Sequence, residues 1–310
     1  MSEAGLIIAR FLHYAALMGF FGGSLFPLYA RPRGVDPQPA RFGLWLRGLP
    51  IGAVILALLS GLAWLVFTAA NMAGSLTEAM GADTLRSVLL ETDFGGLWLA
   101  RLVLCILLLG AVSLPLSFRS SRGGRVFVCL LSGVLLASLA GTGHTQTEDG
   151  IGRFVHMSGD ALHVLGAAAW LGGLLPLAFF LSSTTQARSA GDRDDAVRVL
   201  LRFSGMGYVA VAVLLASGLV NSWFLVRSLS NLFTTPYGQL LTVKLCLFAG
   251  MIALAATNRF WLVPAVIKAD PSSSARLLSR LRSHVLTEEA LGVAVVGIVS
   301  VLGTMAPAVG

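Results

Sequence analysis

Eight stretches of this chain are nearly unbroken runs of apolar residues: about 5–30, 48–71, 96–116, 125–142, 153–181, 203–226, 238–262 and 287–308. A bilayer core about 30 Å thick is crossed by roughly 20 such residues in helix. None shows the strict alternation of a half-buried strand, and glycine and proline inside them are tolerated by membrane helices. The pattern predicts an all-α, polytopic membrane protein with eight transmembrane helices. The first stretch reads as a retained helix rather than a cleaved leader. Glu3 precedes it, and Arg10 and His13 interrupt its apolar run.

Composition supports this class. The AVILMFWYC residues make up 56% of the 310, Gly adds 35 more, and charged residues are only 12%. That leaves too few charges to coat a soluble enzyme, and it excludes a disordered chain or a disulfide scaffold. The cysteines, Cys105, Cys129 and Cys246, each sit alone in an apolar run and read as small core residues.

The net charge of +7 would suggest a nucleic-acid partner for a soluble protein, but here its distribution decides. Most basic residues fall in alternate loops: Arg31 to Arg47, Arg119 to Arg125, Arg188 to Arg202 and Arg259 to Arg282. The other loops carry Glu78, Asp83, Glu91 and Asp93, then Glu148 and Asp149. The positive-inside rule therefore puts the basic loops in the cytoplasm and both termini outside. No nucleic acid is expected; the partner is the lipid bilayer. Residues 268–284 read as a cytoplasmic connector with a short amphipathic helix.

The first and fifth stretches resemble each other. Aligned on His13 and His163, Leu12 meets Leu162, Phe20 meets Trp170, and Gly22-Gly23 meets Gly172-Gly173. Weaker echoes pair Ser60-Gly61 with Ser217-Gly218, Gly95 and Arg101 with Gly238 and Lys244, and Gly141-Thr142 with Gly303-Thr304. The expectation is two parallel four-helix repeats, residues 1–142 and 143–310, within one membrane domain. Both histidines would then lie about 12–15 Å below the outer surface at 1.5 Å per residue.

Ionisable groups inside membrane helices are expensive and mark function. The fifth stretch carries His156, Asp160 and His163 at i, i+4, i+7, one face within about 10 Å of rise. Met157 adjoins them, His144 ends the fourth stretch, and His13 is the counterpart in the first half. Imidazole suits copper, zinc and iron, and thioether suits Cu(I). The predicted metal ligands are His13, His144, His156, Met157, Asp160 and His163. Arg101, Lys244 and Arg10 read as snorkelling to the interface or pairing with Asp160, Met18 and Met206 as core, and Trp98 and Trp223 as interfacial anchors. Three readings stay open. The first is a copper permease. The second is an oxidoreductase with His13 and His163 as axial ligands of one haem b. The third is a subunit whose histidines only bond helices together. No Walker A loop, CPC pair or CxxCH haem site occurs, and the pattern favours a transporter over an enzyme.

The run "GTGHTQTEDG", followed by "HMSGDALHVLGAAAWLGGLLPLAFF", strongly resembles the signature region of the CopD copper-resistance family. "RFSGMGYVAVAVLLASGLVNSWFLV" and "TPYGQLLTVKLCLFAGMIALAATNRF" resemble the segments that follow it. The resemblance covers about residues 4–308. It implies an eight-helix protein of the bacterial inner membrane that moves copper toward the cytoplasm, with a periplasmic CopC-type protein as partner. The family's polar motif falls on His144, His156, Asp160 and His163. No CopC-like domain or Met-rich outer loop lies within the chain, so delivery would need a separate partner. The first stretch also resembles, over a shorter length, the histidine-bearing first helix of the haem-associated HemJ family.

Overall fold

The structure is a computed structural model that describes residues 2–30, 40–142, 150–184 and 190–308. Among the described residues there is no strand, and eight helices are long and apolar enough to cross a membrane. They are α1 Ser2–Tyr29, α2 Ala40–Ala73, α3 Asp93–Ser113, α4 Arg122–Ala137, α5 Gly150–Thr184, α6 Ala190–Leu225, α7 Pro236–Thr257 and α8 Pro271–Leu302. A 3₁₀ turn, Ser138–Thr142, prolongs α4, and a π-turn, Asn258–Leu262, leads α7 into the short helix Val263–Lys268. The chain is an all-α polytopic membrane protein.

Two helices outrun their hydrophobic pattern. α6 begins at Ala190 and not near 203, and α8 begins at Pro271 and not near 287. Most of the predicted 268–284 connector is therefore the first part of α8. Proline at the start of α8 has no amide hydrogen to leave unbonded. Asp270 caps the end, with its Oδ1 accepting from the Ser273 amide at 2.8 Å. Arg193 of α6 donates to the Ala269 carbonyl at 3.0 Å, tying the two polar extensions together.

The bundle is inverted relative to a soluble protein. Leu59, Ile106, Leu219 and Trp223 are each more than 60% exposed, a surface that only lipid would cover. One buried cluster gathers Leu17, Trp64, Leu108 and Leu135 from α1 to α4; another gathers Leu174, Leu181, Val266 and Leu281 from the second half. α1 packs on α2 and α5 on α6, while α1 and α5 pack on each other at the centre. There the backbones of Gly22 and Gly172 meet so closely that neither position has room for a Cβ. Small residues let membrane helices approach in this way.

The entries to α3 and α7 are built alike. Thr92 Oγ1 accepts from the Gly95 amide at 3.0 Å and donates to the Val88 carbonyl at 2.5 Å. Thr235 Oγ1 accepts from the Gly238 amide at 3.0 Å and donates to the Asn231 carbonyl at 2.6 Å. In both, the glycine lies against the preceding short helix, Ala82–Glu91 or Leu229–Thr234, with no space for a side chain. The surroundings then differ. α3 packs on α2, whereas α7 packs on α8 and makes no comparable contact with α6. Cys105 and Cys129 are buried as expected, while Cys246 on α7 is exposed.

Candidate functional site

His13 is 1% exposed and fully committed. Its Nδ1 lies 2.9 Å from the Ala57 carbonyl and 3.2 Å from Ser60 Oγ, both on α2. A carbonyl only accepts, so Nδ1 carries the hydrogen and Nε2 is bare. Arg101 of α3 fills that lone pair, donating from Nη2 at 2.5 Å, and its Nη1 donates to Ser138 Oγ at 2.7 Å. Trp64 stands edge-on to the imidazole at 5.7 Å, and Trp98 lies 5.8 Å away. The Arg10 guanidinium stacks over Trp64 at 4.5 Å, and that of Arg101 over Trp98 at 5.0 Å. A Cβ at Gly61 would stand 3.2 Å from His13 Cε1, so glycine is what lets α2 hold the ring. These contacts correct two expectations. Arg101 and Arg10 stay inside instead of reaching the interface, Arg10 keeping the alternative of an electrostatic pairing with Asp160, and Trp98, 2% exposed, is a wall of the His13 site and not an anchor.

His163 begins in the same way and ends differently. Its Nδ1 lies 3.0 Å from Ser217 Oγ. The serine spends its own hydrogen on the Val213 carbonyl at 2.5 Å, so the imidazole is the donor and Nε2 is again the bare nitrogen. Gly218 stands beside the ring, as Gly61 does beside His13. Lys244 of α7 is near, but among the described residues no hydrogen bond reaches Nε2 of His163. One turn before it, Asp160 Oδ1 accepts from Asn221 Nδ2 at 3.2 Å and lies within Coulombic reach of Lys244 and Arg10. His163, Asp160 and Lys244 are only partly buried.

The other expected ligands are spread along α5. His156 is 3% exposed and stacks flat on Phe224, with ring centres 4.6 Å apart and planes 4° apart. Met157 lies on the exposed side of the helix. His144 lies outside the described residues. Among the described residues no three His, Cys, Asp or Glu side chains are grouped closely enough to hold a metal ion. His156, Asp160 and His163 therefore share a helix face without forming a three-residue metal cluster among the described residues.

Chemically, the second half offers an oriented imidazole with an open Nε2 and a carboxylate one turn away. Fixing Nδ1–H on a serine sets the tautomer that a ligating histidine needs. The first half offers a closed knot whose imidazole lone pair already faces a guanidinium. A haem b shared by His13 and His163 would need both Nε2 atoms. Arg101 occupies one of them, so these residues do not fit that group. The sequence reading did not assign Ser60 and Ser217 to the histidines, although the paired Ser-Gly steps were the signal. Asn221 gave no signal, because the partner of Asp160 comes from another helix.

Known proteins place the chain. Residues 1–155 match the family model for the copper resistance protein D-like N-terminal domain, and residues 197–302 match that for copper resistance protein D. The chain is 33% identical over 309 residues to copper resistance protein D of Pseudomonas syringae pv. tomato, spanning 99% of this chain and 98% of that one. It is 30% identical over 301 residues to inner membrane protein YebZ of Escherichia coli, spanning 97% and 98%. It is 34% identical over 259 residues to copper transport protein CutJ of Bacillus subtilis, spanning 82% of this chain and 46% of that one. No solved structure matches it. The chain belongs to the copper resistance protein D (CopD) family.

Proposed function

We propose that this protein is a permease of the bacterial inner membrane that carries copper from the periplasm toward the cytoplasm along the polar face of α5. The observation that carries the reading is the open Nε2 of His163, held by Ser217 and set one turn from Asp160 inside the membrane. The names of its relatives, copper resistance protein D and copper transport protein CutJ, agree with copper as cargo. The positive-inside pattern supports a periplasmic position for both termini and the start of α5.

Copper would enter at His144, His156 and Met157 and pass to Asp160 and His163. Separate stations suit a transported ion, because each holds it weakly enough to release it to the next. The matching contacts of His13 and His163 favour two four-helix halves related by an axis along the membrane normal. His13 would join the path only in a conformation where Arg101 has withdrawn from Nε2. A separate periplasmic copper-binding protein of the CopC type would deliver the ion. The test is copper uptake into proteoliposomes by wild type and His163→Ala. Uptake that the substitution abolishes supports the reading; uptake that it leaves unchanged refutes it.

A further inference from the structure

A second polar network lies deeper in the bundle, on residues no part of the copper path uses. Glu288 of α8 is 2% exposed. Its Oε1 accepts from Asn258 Nδ2 at 2.7 Å, and Asn258 Oδ1 lies 2.9 Å from Nδ1 of His284. Trp170, on α5, is a further neighbour of the carboxylate. Trp170 follows His163 by seven residues, two turns or about 10 Å along α5 toward the basic loops. Asn258 opens the π-turn after α7, an irregularity that often marks functional sites.

No ion pair joins Glu288 to a cation among the described residues. The titratable neighbours on its own helix are His284, one turn back, and the adjacent Glu289, whose Oε2 is buried without a hydrogen-bond partner. The π-turn brings Asn258 and then Arg259; the 263–268 helix ends in Lys268; neither cation bonds to it. Tyr29, the titratable group at that end of α1, packs beside Gly173 instead. The groups do not form a metal cage. Nor is the network a general feature of the fold: Phe20 stands where α5 has Trp170, and Val126 of α4 stands where α8 has Glu288 when Ser138 is aligned with Ser300.

The chain His284–Asn258–Glu288 has two complete hydrogen-bonded states. With Glu288 charged, His284 Nδ1–H donates to Asn258 Oδ1, and Asn258 Nδ2–H donates to Glu288 Oε1. With one proton added to Glu288 and the amide turned over, Glu288 O–H donates to Asn258 Oδ1. Asn258 Nδ2–H then donates to Nδ1 of His284, whose single hydrogen has moved to Nε2. The two states differ by one proton, and each keeps both links of the chain hydrogen-bonded. We propose that Glu288 is a proton-binding site in the cytoplasmic half of the membrane, positioned by Asn258 and His284, and that its proton is the coupling ion for copper movement.

The coupling, though not the proton site itself, rests on the permease reading. Infrared spectroscopy of the full-length protein in nanodiscs reads the site through the carbonyl band of a neutral carboxylic acid. A band that titrates in wild type, vanishes in Glu288→Gln and shifts its midpoint in Asn258→Ala supports the proton site. A band unchanged in Glu288→Gln, or no titrating band, overturns it. Proteoliposomes loaded with a pH-sensitive dye read the coupling. Copper-driven change in lumenal pH in wild type, lost in Glu288→Gln while copper binding persists, supports coupling; the same change in both overturns it. Wild type that moves no copper overturns the permease reading and the coupling, and the infrared result still decides the proton site.

Discussion

Arg101 sets a guanidinium nitrogen 2.5 Å from Nε2 of His13. In a helix bundle that buries both residues to 1% exposure, this bond uses the one lone pair with which the imidazole could hold a metal. His13→Ala would leave Nη2 of Arg101 buried without its acceptor and should destabilise the protein by about 1–3 kcal/mol. Copper binding by the second half should persist. Thermal unfolding and copper titration of the same variant check both statements; lost copper with unchanged stability would oppose them.

Lys244 stands in the place of Arg101 beside His163, yet makes no bond to the ring. Its ammonium competes with any cation attracted by Asp160. Lys244→Met should therefore tighten copper binding by roughly tenfold, about 1.4 kcal/mol, while Lys244→Arg should not. Competition titration against a chelator measures the difference.

Gly172 meets the backbone of Gly22 where α1 crosses α5. Gly172→Leu should force the helices apart and destabilise by about 1–3 kcal/mol. Gly205→Leu on α6 is the control, because nothing lies within 4 Å of a Cβ there. Unfolding midpoints in detergent should separate the two.

The orientation is open to thiol labelling in a Cys246→Ala background, since Cys105 and Cys129 are buried. An impermeant reagent outside intact cells should label Thr77→Cys, between α2 and α3, and spare Arg282→Cys. The reverse pattern would invert the copper path.

The eight helices were legible because each needs an apolar run of membrane length, and hydropathy reports that directly. Their polar extensions were not. Residues 190–202 and 271–286 continue their helices beyond the apolar runs, held by contacts such as Arg193 with the Ala269 carbonyl. Glu288 lies inside the predicted eighth stretch, but only the packing of α8 shows that it is buried. The polar face of α5 was legible from spacing alone. The unequal fates of His13 and His163 were not, because they depend on how α3 and α7 sit against their neighbours.

The central claim is that copper is held by the α5 face of the second half. X-ray absorption at the copper edge, on protein loaded with copper, tests it most directly. Wild type should show imidazole scattering around bound copper, kept in His13→Ala and lost in His163→Ala. A copper signal that survives His163→Ala unchanged, or wild type that binds no copper, would contradict the account.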